Sequence, residues 1–248
     1  MILPNFTYSD KQKEVLNMCH FSYQVATEYF EEMKNKICSR KHFPTFESIC
    51  FDDDRMNRWI LTFFVPTKKM AKMGRICVRC HTTYDIPPKR CENQTNAGKG
   101  VIDFDPILLY QSIHNMRDDS RGAFIFDYVP HAINRYTDRY LKPNGFNGLE
   151  MRKKMEKIYS RYTHFDIDAD RNGDISSQKQ IQKNGIICPY DIIMKEGGMF
   201  RGGIVDNRLI MVYTYVSPSM MYETQTKRAT EMTRERYDWE KEGRFFVE

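Results

Sequence analysis

Apolar positions recur at helical spacing early in the chain. Val15, Met18, Cys19, Ser22, Tyr23, Ala26, Tyr29, Phe30 and Met33 fall on one face. This predicts a long helix to about Lys36, with Ser9 or Asp10 as its N-cap. The pattern then shortens to β-type runs at Phe46–Phe51, Asn57–Val65 and Gly74–Tyr84, separated by polar turns. Two prolines and the polar run Asn93-Gln-Thr-Asn-Ala-Gly-Lys-Gly100 predict a loop over Asp85–Gly100. Asp105-Pro106 has the form of an N-cap and first helical residue, opening a helix to about Met116.

A charged link, Arg117-Asp-Asp-Ser-Arg-Gly122, separates this half from the next. A strand at Phe124–Tyr128 runs into a helix opened by Pro130, where a missing N–H costs nothing. After the turn Pro143-Asn-Gly-Phe-Asn-Gly148, a further helix is predicted from Leu149 to Tyr162. Tyr190–Lys195, Gly198–Val205 and Arg208–Val216 then read as three strands with short turns, an antiparallel meander. Mixed charges at helical spacing predict a solvated closing helix, roughly Ser217 to Lys241. The expected class is α+β. Residues 1–120 form a helix-plus-antiparallel-sheet part, and residues 121–248 an antiparallel sheet with flanking helices.

The 248 residues suffice for a buried core, and 41% hydrophobic with 29% charged residues is ordinary globular composition. A net charge of +5 permits an anionic partner such as RNA without demanding one. Seven cysteines, an odd number in a chain this long, do not make a disulfide framework. The opening Met1-Ile-Leu-Pro-Asn-Phe has no cationic stretch followed by an apolar one, and the longest apolar run, Trp59–Val65, is too short for a bilayer. These features predict a cytoplasmic chain with no membrane association.

Two motifs raise the question of metal. Cys77-Val-Arg-Cys80-His81 has the spacing of a haem-attachment motif, and Cys77, Cys80 and Cys91 with either His81 or His114 could supply a zinc tetrahedron. No second paired motif accompanies it. The simpler reading is a strand with Ile76, Val78 and Cys80 on one face and Cys77, Arg79 and His81 on the other. Asp168-Ala-Asp-Arg-Asn-Gly-Asp-Ile resembles a calcium loop, with oxygens from Asp168, Asp170 and Asn172. Its twelfth position is Lys179, a cation where a bidentate carboxylate is needed, and Asn172-Gly173 reads as a hairpin turn. No cofactor and no metal are expected.

The strand–helix unit carries the strongest chemistry. At about 100° per residue, His131, Arg135 and Arg139 share one quarter of the helix, opposite a buried face of Ile133, Tyr136 and Tyr140. An imidazole beside two guanidiniums can move a proton while the guanidiniums hold a phosphate.

A strand followed by His-Ala-x-x-Arg-x-x-x-Arg resembles the opening of toxin-type domains in the barnase–EndoU–colicin–RelE ribonuclease group. The helices and the strands from Tyr190 to Val216 follow the same order. Leu209–Val216 resembles the group's late strand, with Met211, Tyr213 and Tyr215 on one face and Val212, Thr214 and Val216 on the other. The resemblance implies a RelE-like C-terminal domain and metal-independent RNA cleavage, in which a 2′-hydroxyl attacks the adjacent phosphorus. His131 would be base or acid, Arg135 and Arg139 would stabilise the phosphorane, Thr214 would orient a phosphate oxygen, and Arg201 would bind phosphate. His164 would be a second proton carrier. The insertion from about Thr163 to Asn184 and the N-terminal half depart from the group's pattern. The competing expectation is a non-catalytic binding or structural protein. Its partner would be RNA or a protein, either an inhibitor or a second copy.

Overall fold

The computed structural model describes residues 2, 3, 5–88, 97–114, 123–166, 185–206 and 208–241. The elements run α1 (Tyr8–Cys38), β1 (Thr45–Asp52), β2 (Arg58–Val65), α2 (Lys68–Lys72), β3 (Cys77–Ile86), β4 (Gly98–Phe104), α3 (Pro106–His114), β5 (Ile125–Tyr128) and α4 (Pro130–Tyr136). A π-helical turn, Thr137–Leu141, and a 3₁₀ turn, Lys142–Asn144, prolong α4. Then come α5 (Met151–Tyr159), β6 (Tyr162–Asp166), β7 (Cys188–Met194), β8 (Met199–Asp206), β9 (Leu209–Val216) and α6 (Glu223–Lys241). The class is α+β. No helix among the described residues is long and apolar enough to cross a membrane.

The chain forms two compact units, Met1–His131 with Val205–Met211, and Ala132–Ile204 with Val212–Glu248. The division falls at His131 rather than at residue 120, because β5 pairs with β4 through Val101↔Tyr128 to Phe104↔Ile125 and so belongs to the first unit.

In the first unit the strand order is β1-β2-β3-β4-β5, antiparallel throughout, with the start of β9 beside β5. Ile125 N–H donates to the Arg208 carbonyl at 2.8 Å there. One sheet face carries Trp59, Leu61, Phe63, Val78, Cys80, Ile102, Phe104 and Ile125, packed with Val15, Cys19 and Ala26 of α1. Burying this apolar surface is the main force closing the unit, at about 25 cal/mol per Å². The expected alternation along β3 is seen, since Val78 and Cys80 enter this core while Arg79 turns to Asp103 on the other side.

The N-cap of α1 is Thr7, not Ser9 or Asp10. Thr7 Oγ1 accepts from the Asp10 N–H at 3.2 Å, and Asp10 Oδ2 accepts from the Thr7 N–H at 3.0 Å. Asp10 is thus the third helical residue of a capping box, whose reciprocal pair satisfies two otherwise orphaned amides. Asp105 caps α3 as expected, accepting from Ile107 N–H at 2.9 Å and Leu108 N–H at 3.0 Å. At the β1–β2 turn the Asp53 carboxylate accepts four bonds. They come from the backbone of Arg55 (2.9 Å) and Asn57 (2.7 Å), from Asn57 Nδ2 (2.7 Å) and from Trp59 Nε1 (2.8 Å). Burial raises this carboxyl's pKa, but the four donors outweigh it and the net shift is down.

The predicted loop Asp85–Gly100 is largely sheet at its described ends. Tyr84↔Gly100, Asp85↔Lys99 and Ile86↔Gly98 are paired. Gly100 misled the reading because it weakens a strand pattern. It is there because the Tyr84 ring lies across it, and a Cβ at Gly100 would come within 2.3 Å of Tyr84 Cζ. That ring position brings Tyr84 Oη to 2.6 Å from Asp127 Oδ1, while Lys11 Nζ lies 2.5 Å from Asp127 Oδ2 and 4.1 Å from the ring centroid. Asp127 has 0% exposure, Tyr84 3% and Lys11 7%, so an ion pair with its own hydrogen-bond donor is sealed inside the first core. Burial, then the Asp127 charge, pushes the Tyr84 phenol well up.

In the second unit the order is β9-β8-β7-β6, β6 being a strand where the sequence reading placed a polar insertion. Its two faces are set by alternation. Phe200 and Tyr215 meet Tyr136 of α4 at 5.2 and 5.0 Å between ring centroids. Ile193, Met199 and Val216, on the other face, pack with Ala229 of α6. Gly198 is required at the β7–β8 turn, because a Cβ there would lie 2.3 Å from the Tyr215 hydroxyl and 3.0 Å from the Val216 carbonyl.

Candidate nucleic-acid interface

Along α4 the buried face is the one expected, with Ile133 at 1%, Tyr136 at 0% and Tyr140 at 8% exposure. The helix does not keep a single period. From Thr137 it widens into the π turn, so Arg139 is not displaced from Arg135 by the ordinary helical increment. His131, Arg135 and Arg139 are all partly exposed. Arg139 Nη1 donates to the Tyr215 carbonyl at 2.6 Å. Burial, then the nearby Arg135 charge, lowers the Arg139 pKa, although Asp138 and Tyr215 act to raise it.

The other two residues expected at the site are not on this side of the sheet. Thr214 alternates with Tyr215 and so shares the face of Val216, which packs with α6. Arg201 alternates with Phe200 and shares the face of Met199. It is buried and stands directly across from Asp191 on β7, with Nε 3.6 Å from Asp191 Oδ1. The geometry thus brings Arg135 and Arg139 together but places Thr214 and Arg201 on the opposite face. The alternation itself was read correctly. Which face the helix would cover is a tertiary choice that one strand's pattern does not encode. His131 closes the first unit, and His164 lies in β6 opposite Ile193.

What the sequence reading missed is the second basic stripe. Lys154 and Lys157 on α5 and Arg161, two residues past its end, are spaced i, i+3, i+7 and meet the prolonged end of α4. Lys157 Nζ lies 3.9 Å over the Phe146 ring and Arg161 Cζ 4.6 Å over the Tyr140 ring. Burial and the neighbouring Lys142 lower the Lys154 pKa, against Asp138. Burial, Arg161 and Lys153 lower that of Lys157, against Glu156. Arg161 is the exception: burial lowers it, but Glu196, which accepts from Nε at 2.8 Å, raises it net. The missed signal was local: Arg152-Lys-Lys-Met-Glu-Lys157 with Arg161 gives this stripe directly.

Residues 130–161 hold eight Lys and Arg against three Asp and Glu, a net +5 equal to the formal charge of the whole chain. Beneath this surface lie Tyr136, Tyr140, Tyr215 and Glu196. Tyr136 Oη, fully buried, has no hydrogen-bond partner among the described residues, and the Tyr215 hydroxyl reaches Glu196 Oε1 at 3.4 Å. Burial is the largest cause raising both phenols, with Glu196 next.

Among the described residues no group of three His, Cys, Asp or Glu is placed to hold a metal. The calcium-like loop with Asp168, Asp170 and Asn172, and Cys91 of the cysteine motif, lie outside the described residues. No protein-family model, curated protein or solved structure matches the chain.

Proposed function

We propose that the second unit binds RNA through the basic surface formed by the prolonged α4 and by α5. One observation carries the reading: the chain's entire net charge is concentrated in residues 130–161, where cations are half-buried beside one another. Packing like charges together raises the energy of the free protein, and a polyanion laid across them relieves it. Binding would be strongest at low salt. The test is retention of total RNA by the purified chain, with Lys154→Glu/Lys157→Glu alongside. The wild type is expected to shift the RNA and the double variant to lose at least about tenfold in affinity. RNA left free at low salt, or bound equally by the variant, would overturn the reading.

Cleavage of the bound RNA is the second reading, favoured by the proximity of Arg135 and Arg139. It needs His131 as proton carrier, while Thr214 and Arg201 are across the sheet. Incubating total RNA with the chain in EDTA, beside His131→Ala, decides it. Cleavage lost in the variant supports a ribonuclease, whereas intact RNA, or cleavage unchanged in the variant, leaves binding alone.

A further inference from the structure

Proteins that hold single strands without sequence preference add aromatic platforms to a basic groove, and bases stack on the open ring faces. Tyr140 and Phe146, the rings in contact with the cations of this surface, already carry partners. Tyr140 is stacked on Tyr136 at 5.2 Å with an interplanar angle of 18°, and Arg161 lies 4.6 Å over it. Tyr140 is therefore engaged by a ring and by a guanidinium, with 8% of its surface exposed. Phe146, half-buried, carries the Lys157 ammonium at 3.9 Å. At both rings a cation lies between the ring face and solvent.

The cations lie in two rows. Arg135, Arg139 and Lys142, the last paired with Asp138 at 2.7 Å, follow the prolonged α4, and Lys154, Lys157 and Arg161, the last paired with Glu196 at 2.8 Å, follow α5 and the turn after it. Each row runs over eight residues from its first cation to its last. The rows come near one another at Lys154, whose pKa is lowered by burial and then by the Lys142 charge. Cations held in place by rings and by neighbouring elements suit phosphates that are themselves rigidly held. A duplex offers one charge per about 1.7 Å of axis, twice the linear density of a single strand, and offers no unstacked base that would need a platform.

We propose that the ligand of this surface is a nucleic-acid duplex, held through its phosphates without regard to sequence. The inference rests on the RNA-binding reading and narrows it. Fluorescence anisotropy of the full chain tests it with four labelled probes of about 20 nucleotides per strand: an RNA duplex, a second RNA duplex of scrambled sequence, a DNA duplex and oligo-uridylate. The RNA duplexes are expected to bind alike, about tenfold or more tighter than oligo-uridylate, with affinity falling against salt on a log–log slope of roughly −4 to −6. The DNA arm shows which duplex geometry fits the two rows, and a DNA duplex that outbinds oligo-uridylate also supports the proposal. Lys157→Ala, which uncovers Phe146, should weaken the duplex and strengthen oligo-uridylate, narrowing the ratio. Lys154→Gln, which uncovers no ring, should weaken both polyanions together. Oligo-uridylate bound as tightly as the duplexes, a strong preference between the two RNA sequences, or a ratio unmoved by Lys157→Ala would overturn the proposal. Absence of binding by every probe at low salt would instead remove the RNA-binding reading beneath it.

Discussion

Lys11, Tyr84 and Asp127 depend on one another because each would be a buried polar group without the others. Lys11→Met leaves the Asp127 carboxylate sealed without its cation and is expected to cost about 3–5 kcal/mol. Tyr84→Phe removes one donor and should cost about 1–3 kcal/mol. Urea denaturation midpoints check both. Tyr136 gives the opposite sign. Its hydroxyl is buried with no partner among the described residues, so Tyr136→Phe should leave stability unchanged or raise it by about 1 kcal/mol. A clear loss of stability in that variant would show the hydroxyl to be bonded. Asp53 gives a pH dependence. Its folded pKa is depressed, so the stability it adds is fully present above the unfolded carboxylate range and is lost as pH falls through the folded value. Asp53→Asn should therefore lower the melting temperature near pH 7 and converge with the wild type toward about pH 2–3.

At the level of elements, most of the architecture was legible because it rests on short-range patterns. The long α1, the first three strands, the start of α3 at Asp105 and the meander all follow from spacing and turn residues. The misses have local physical causes. In β4, Gly98 and Gly100 weaken the strand signal, yet Gly100 is what admits the Tyr84 ring. In α1 a capping box needs two residues acting together, so Asp10 looked like a cap when it is the reciprocal partner of Thr7. The π turn after Tyr136 re-aims Arg139 in a way no uniform period can anticipate. The candidate site was legible by halves. The Arg135 charge acts on Arg139 across the π turn, while Thr214 and Arg201 were lost to a choice of sheet face and the basic residues of α5 were not singled out. A prediction belongs to this scale. Gly198→Ala sets a Cβ against the Tyr215 hydroxyl and the Val216 carbonyl, and should destabilise the chain by about 1–3 kcal/mol in a thermal melt.

Across the whole molecule, charge and chain path are distributed unequally. Outside residues 130–161 the formal charges cancel, so salt should act chiefly on that segment. Lys154→Glu/Lys157→Glu, which relieves crowding among cations, is expected to keep or slightly raise the melting temperature at low salt while losing RNA. Measured together, the two readouts separate a binding defect from a folding defect. The chain path has a consequence for how the protein is made. The first unit is completed only by Val205–Met211, which places Leu209 in its core and lets Tyr8 Oη reach Met211 Sδ at 3.1 Å. Translation delivers α1 and its five strands early and then spends the whole of Ala132–Ile204 on another unit. During that interval the nascent N-terminal half lacks the segment that lies beside β5. Its most vulnerable moment is thus on the ribosome, and slowing elongation between residues 132 and 204 should reduce the yield of native protein more than slowing it after residue 211.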